Sequence, residues 1–180
     1  MEKKKLATVW LGGCSGCHMS LLDIDERILD VAQLADIVKC PIVDGKEFPD
    51  ADIALVEGAV TSDEHLHELK LIRSRSKILV ALGDCAIMTN VTGMRNYFPL
   101  KEVMAAAYEN SLSNDSAGVV PAHPALLKLE EKVYPLQEIV PVDYFIPGCP
   151  PSADAIFYVL FELLNDRTPN LSEVKKLKYG

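Results

Sequence analysis

Long hydrophobic runs are missing from this sequence. Its most apolar stretch, Ala155 to Leu164, is broken by Glu162, and the N-terminal run from Leu6 to Leu11 is shorter than a secretory core. Both features argue against a membrane span. The second also weighs against a lipoprotein leader ending at Cys14, which "MEKKKLATVWLGGC" otherwise imitates. Positive charge is short too: 18 Lys and Arg against 26 Asp and Glu leave a formal net charge of -8, with only Lys3 to Lys5 as a basic patch. That balance does not suit a nucleic-acid partner. Cysteine is sparse and odd in number, five in 180 residues, so reduced thiols in a cytoplasm are expected rather than a disulfide framework. Internal repeats, linkers and a second CxxC are absent.

What is present is a chain long enough to bury its own core, so a bound metal is expected to be functional rather than required for folding. Short apolar runs alternate with helical patterns. Leu6 to Leu11 reads as a first strand, and Ser20, with Asp23 three residues on, as the cap of a helix whose apolar face runs from Leu21 to Leu34. Ile53 to Val56 is a second strand, after which Thr61 and Glu64 form a capping-box pattern for a helix ending near Arg73. Ile78 to Leu82 and Tyr144 to Ile146 are a third and a fourth strand. Ser152 opens a last helix that is apolar on most sides and so is expected to be covered on more than one face. Strands separated by helices imply an α/β fold, a doubly wound parallel sheet with helices on both faces. Residues 1–166 read as one domain, and Arg167 to Gly180 as a polar surface tail. Ser111 to Pro124, "SLSNDSAGVVPAHP", is rich in turn formers and is expected to be a long loop available for interaction.

The cysteines follow this pattern. In "WLGGCSGC", Cys14 and Cys17 come just after strand one; Cys85 follows strand three in "ILVALGDC", and Cys149 follows strand four in "YFIPGC". Parallel strands end on one edge, where doubly wound folds bind their ligands, so four thiols are expected to converge there. Neighbouring glycines let the backbone come close to a bulky group, and Pro150 after Cys149 repeats a pairing seen in iron-sulfur ligation. A cysteine-held cluster leads among the readings. A four-cysteine zinc site usually uses two CxxC knuckles, and only one is present. A thioredoxin-like dithiol would use Trp10 and the CxxC but leave Cys85 and Cys149 idle. A phosphate loop would need the Walker lysine that "GGCSGC" lacks. A flavin module would bind FMN at the same edge, though no specific motif for FMN is present.

Other residues read more plainly. Cys40 is expected to be a buried structural thiol away from this edge. His65 and His67, two apart on a helix, point to different sides and read as solvent-facing. His18, beside Cys17, either donates to a cluster sulfur or faces a partner. Glu57, ending strand two, has capping of the next helix as its ordinary role. His123 carries no reading.

Taken together, "WLGGCSGCHMSLLDIDE", "EFPDADIALVEGAV", "KILVALGDCA" and "VDYFIPGCPPSADAIFYVLFELL" resemble the small subunit of nickel-iron hydrogenases, closest to the NAD-reducing, bidirectional type. The resemblance implies a flavodoxin-like domain holding one proximal 4Fe-4S cluster, with Cys14, Cys17, Cys85 and Cys149 at the ligand positions. It implies an electron relay in the cytoplasm between a nickel-iron large subunit and diaphorase subunits carrying FMN and iron-sulfur clusters. "PGCPPSADA" also resembles the cluster-bearing small subunit of respiratory complex I, which has adjacent cysteines where this chain has CxxC. Two departures matter. No cysteine follows Cys149 to hold further clusters, and His18 and Met19 stand where many hydrogenases have a serine-glutamate pair.

Overall fold

A computed structural model describes residues 3–173 except Asp44 and Lys46. The tail expected to reach Gly180 therefore lies outside the described residues from position 174 onward. The chain runs β1 (Lys4–Trp10), α1 (Gly16–Leu22), α2 (Ile28–Leu34), β2 (Ala35–Lys39), β3 (Ala51–Glu57), β4 (Val60–Ser62) and α3 (Asp63–Arg75). It continues with β5 (Ser76–Leu82), α4 (Asp84–Met88), α5 (Leu100–Met104), β6 (Leu129–Tyr134), β7 (Tyr144–Ile146) and α6 (Ala153–Leu164). Five strands form a parallel sheet in the order β2-β1-β3-β5-β7, while β4 and β6 pair antiparallel beside it. The direction of winding reverses between β1 and β3, so this pair marks the switch point of a flavodoxin-like sheet.

Period-two alternation along the central strands builds two cores. Leu6, Ile53, Leu55, Val80 and Leu82 face one side and pack with Ile156, Val159 and Leu160 of α6. Ala7, Val9, Ala54, Val56, Leu79 and Ala81 face the other, against Leu69 and Ile72 of α3. Each fully buried Leu, Ile or Val contributes about 1.5–3 kcal/mol relative to exposure, so the register of the strands is held by both faces at once. No residue of α6 is fully exposed, as its all-round apolarity implies. Arg27 and Arg167 lie over the rings of Phe157 and Phe161, covering its outer side.

Four expectations need correction. The first helix does not start at Ser20. It starts at Gly16, stops at Leu22, and resumes as α2 after a single 3-10 turn at Asp25–Arg27. Ser20 lies buried inside α1, where its hydroxyl donates to the carbonyl of Pro151 at 2.5 Å. The cap of α3 is Ser62, which accepts from the His65 amide, while Thr61 belongs to β4. Four parallel strands become five, because "ADIVK" at Ala35–Lys39 forms β2 on the sheet edge with mostly exposed or half-buried side chains. Cys40 follows β2, so it stands at the carboxyl end of the sheet after all, half-buried rather than buried.

The stretch from Ser111 to Pro124 contains no helix or strand and is largely exposed, as its turn formers imply. Among the described residues no helix is long and apolar enough to cross a membrane.

Ser62→Ala removes the acceptor of the His65 amide and is expected to lower stability by about 1 kcal/mol. Leu160→Ala, in the core under α6, is expected to cost about 2–5 kcal/mol. Urea unfolding of the full chain measures both.

Candidate functional site

The loops that leave β1, β5 and β7 meet at the carboxyl edge of the sheet. Cys14, Cys17, Cys85 and Cys149 all line one cavity of about 90 Å³ there, with Glu57 and Asp84 in its wall. Cys14 and Cys149 are exposed, and Cys17 and Cys85 are half-buried, so the thiols form a shallow ring open on one side. Cys40 is not part of it. It lines a separate apolar pocket of about 310 Å³ with Trp10, Met19, Leu22 and Ile37.

Each loop is fixed by hydrogen bonds to a neighbour. After β1 and β3 end, the Gly12 amide donates to the Ala59 carbonyl at 2.9 Å and the Ala59 amide donates back at 2.8 Å. Gly83 donates to the Ile146 carbonyl at 2.8 Å, and Asp84 donates through its amide to the Gly148 carbonyl at 3.0 Å. The Asp84 carboxylate in turn accepts the Gly148 amide at 2.8 Å, clamping the Cys85 turn to the Cys149 turn. The Ser20 bond to Pro151 ties α1 to that same turn, in which Cys149–Pro150 is a cis peptide. Sequence reasoning passed over Asp84 and took Ser20 for a helix cap, because their observed roles are contacts between segments about 64 and 131 residues apart.

Burial pushes the Cys17 thiol well above its ordinary value, helped next by the charge of Glu57 and then by the other three cysteines. Burial also raises Cys85, followed by Cys149, while the backbone amides of Val91 and Thr92 hydrogen-bond to it and pull the other way. Those amides belong to a 3-10 segment, Asn90–Tyr97, that Asn96 fastens to β6 by bonding both ways with the Val133 backbone at 2.9 and 2.8 Å. A dithiol reaction of Cys14 and Cys17 alone would leave Cys85 and Cys149, which line the same cavity, without a role. Among the described residues, no three or more His, Cys, Asp or Glu side chains gather around one point as a single metal ion requires, so the thiols are not laid out for one zinc ion. The cavity, about 90 Å³, is smaller than the roughly 300 Å³ at which pockets for organic cofactors usually begin, which counts against FMN in it.

The histidines and Glu57 also find their places. Glu57 does not cap α3. It is 2 % exposed, and its carboxylate accepts the backbone amide of His18 at 2.7 Å. The His18 ring lies beside the same oxygen at 2.8 Å and edge-on to Trp10. His67 is exposed, whereas His65 is half-buried against the Thr61 hydroxyl at 2.9 Å, and burial lowers its pKa. His123 is exposed and accepts the Ala125 amide.

A doubly wound sheet with four thiols gathered at its carboxyl edge defines an α/β domain with a cysteine-lined cavity. Residues 14–163 match the family described as NADH ubiquinone oxidoreductase, 20 Kd subunit. The chain is 44% identical over 168 residues to NAD-reducing hydrogenase HoxS subunit delta of Cupriavidus necator, covering 92% of this chain and 80% of that one. It is 32% identical to the iron-sulfur subunit of the F420-non-reducing hydrogenase of Archaeoglobus profundus, covering 92% of this chain and 57% of the relative. Against that archaeal protein, then, the chain spans less than two thirds of the relative's length. The crystal structure of an NAD+-reducing NiFe-hydrogenase in the H2-reduced state contains a chain that superposes with a TM-score of 0.95 at 38% identity, over 99% of this chain and 100% of that one. The chain belongs to the 20 Kd subunit family and, within it, falls with the hydrogenase small subunits. It is a subunit of an oxidoreductase.

Gly83 sits at φ +82°, and a Cβ built there would overlap the Cys17 sulfur. Gly83→Ala is therefore expected to cost about 1–3 kcal/mol in urea unfolding, since its backbone conformation is essentially glycine-only. It is also expected to raise the reactivity of Cys17 toward a thiol reagent by pushing that sulfur out of the cavity.

Proposed function

We propose that Cys14, Cys17, Cys85 and Cys149 hold one 4Fe-4S cluster, and that the chain relays electrons between a nickel-iron large subunit acting on hydrogen and a diaphorase that reduces NAD. The observation that carries this reading is the ring of four thiols around a single cavity at the sheet edge. The donor set fits: thiolates are the ligands such clusters take, and the glycines at positions 16 and 83 leave room beside the sulfurs of Cys14 and Cys17. A cluster bound there would supply one-electron transfer at a potential set by burial and by hydrogen bonds to sulfur.

The remaining chemistry belongs to this chain's own residues. The Val91 and Thr92 amides donate to the Cys85 sulfur and so favour its thiolate. The Asp84 clamp keeps Cys85 and Cys149 at a constant separation. Cys40 is the one cysteine left over, too few thiolates for a nickel-iron site, so hydrogen is handled on another chain.

The exposed Cys14 and Cys149 leave the outer side of the ring uncovered, and a partner is the natural cover. Met88, Val91, Met94, Tyr97 and Phe98 are large, exposed hydrophobics that follow Cys85 directly in the chain, the kind of surface an obligate partner buries. The kinship with hydrogenase subunits supplies the identity of the complex in this reading. We read residues 1–166 as the cluster-binding domain and the cytoplasm, which keeps thiols reduced, as its compartment.

Single replacement of Cys14, Cys17, Cys85 or Cys149 by Ser is expected to abolish or convert the cluster signal, whereas Cys40→Ser leaves it intact. Anaerobic iron and sulfide content with EPR checks this, and loss of the signal in Cys40→Ser but not in Cys85→Ser would refute the assignment. The isolated chain is expected neither to oxidise hydrogen with a dye nor to reduce NAD. In an assembled complex, Cys149→Ser is expected to suppress hydrogen-dependent NAD reduction while NADH-to-dye activity persists. Both activities are to be assayed on one preparation, and hydrogen turnover by the lone chain would place the chemistry here instead.

A further inference from the structure

Glu57 is a buried carboxylate that the ligand set does not use. It ends β3 at the switch point, lines the thiol cavity, and is only 2 % exposed. A carboxylate is costly to bury without partners, so its contacts state what it is for. The helix it touches has no cap of its own: Ser15, at φ 65°, makes no side-chain cap bond, and the first bond within α1 runs from the Met19 amide to the Ser15 carbonyl. The amides of Gly16, Cys17 and His18 thus have no partner inside the helix. Glu57 takes the last of these at 2.7 Å from a different strand. The same oxygen lies 2.8 Å from His18 Nδ1, although neither ring nitrogen makes an aligned hydrogen bond.

Cys17 sits one residue before the amide that Glu57 holds. Its thiol points into the cavity so closely past Gly83 that no Cβ fits between them. A shift of the first turn of α1 would move that sulfur directly.

We propose that Glu57 is a positioning residue for the cluster: it caps α1 from β3, fixes Cys17 against Cys85 and Cys149, and places a buried negative charge beside the sulfurs. This rests on the cluster reading above. Glu57 lines the same cavity as the four sulfurs, so its carboxylate acts on whatever they hold at short range. Adding an electron beside a negative charge in a poorly solvated site is unfavourable, so the carboxylate holds the reduction potential down.

The test compares two replacements of nearly equal length on the full chain, reconstituted anaerobically. Glu57→Gln keeps an oxygen for the His18 amide and loses the charge. Glu57→Met keeps the bulk and loses both. Protection of the His18 amide from hydrogen exchange, read in the cluster-free chain, is expected to persist in Glu57→Gln and vanish in Glu57→Met. Iron release to a ferrous chelator is expected to be about 10–100-fold faster in Glu57→Met than in wild type, and near wild type in Glu57→Gln. The potential of Glu57→Gln, from an EPR-monitored titration, is expected to be more positive.

Equal iron retention in Glu57→Met and Glu57→Gln would overturn the positioning role, and an unchanged potential in Glu57→Gln would overturn the electrostatic one. A wild-type chain that takes up no iron and sulfide would instead refute the cluster itself. The exchange measurement would still report whether Glu57 caps α1.

Discussion

The parallel direction of five strands is the constraint from which the site follows. Because β1, β3, β5 and β7 run the same way, their ends lie along one edge, and whatever residues come next are neighbours whatever their distance in the chain. Cys14, Glu57, Cys85 and Cys149 are such residues. An antiparallel arrangement would have sent half of them to the opposite end. The two-sided core enforces the register, since a slip of one residue in any central strand would exchange its two faces and misplace the loop that follows.

Strand ends bring residues together only to within a loop's freedom, and three contacts remove that freedom. Glu57 holds the start of α1, Ser20 holds α1 against Pro151, and Asp84 holds the Cys149 turn against the Cys85 turn. They link α1, which carries Cys17, and the Cys85 and Cys149 turns to one another. Each is a buried or half-buried polar contact, the kind that is costly when broken, so the ring of thiols is preorganised before any ligand enters.

What could be read in the sequence, and what could not, divides along the same line. The central strands and α6 were legible because their apolar residues have one period and little ambiguity; Tyr144–Ile146 and the Ser152 cap were found at their observed places. The convergence of the four cysteines followed from topology alone. The edge strand β2 was hidden because exposed Asp36 and Ile37 spoil the alternation that marks a half-buried strand. The start of α1 was misread because its cap is a carboxylate 39 residues downstream, while Ser20, the local residue with the right chemistry, was needed elsewhere. Glu57 shows the limit most clearly: a strand-ending glutamate before a glycine has a local role as its simplest reading, and only the three-dimensional contact reveals a different helix as its target.

The exposure of the thiols carries the last step. Cys17 and Cys85 face inward, where burial disfavours a free thiolate, and Cys14 and Cys149 face outward. Chemistry on the Cys14 and Cys17 pair alone would leave Cys85 and Cys149, which line the same cavity, without a role. On the proposed reading a ligand drawing on all four sulfurs accommodates the buried pair, because its positive metal centres compensate their thiolates. The same geometry leaves that far side unprotected by this chain, beside the exposed hydrophobic residues from Met88 to Phe98. On the proposed reading, a redox group held at this rim rather than inside a core has a short path to a neighbouring protein, and the site is complete only when that neighbour is present.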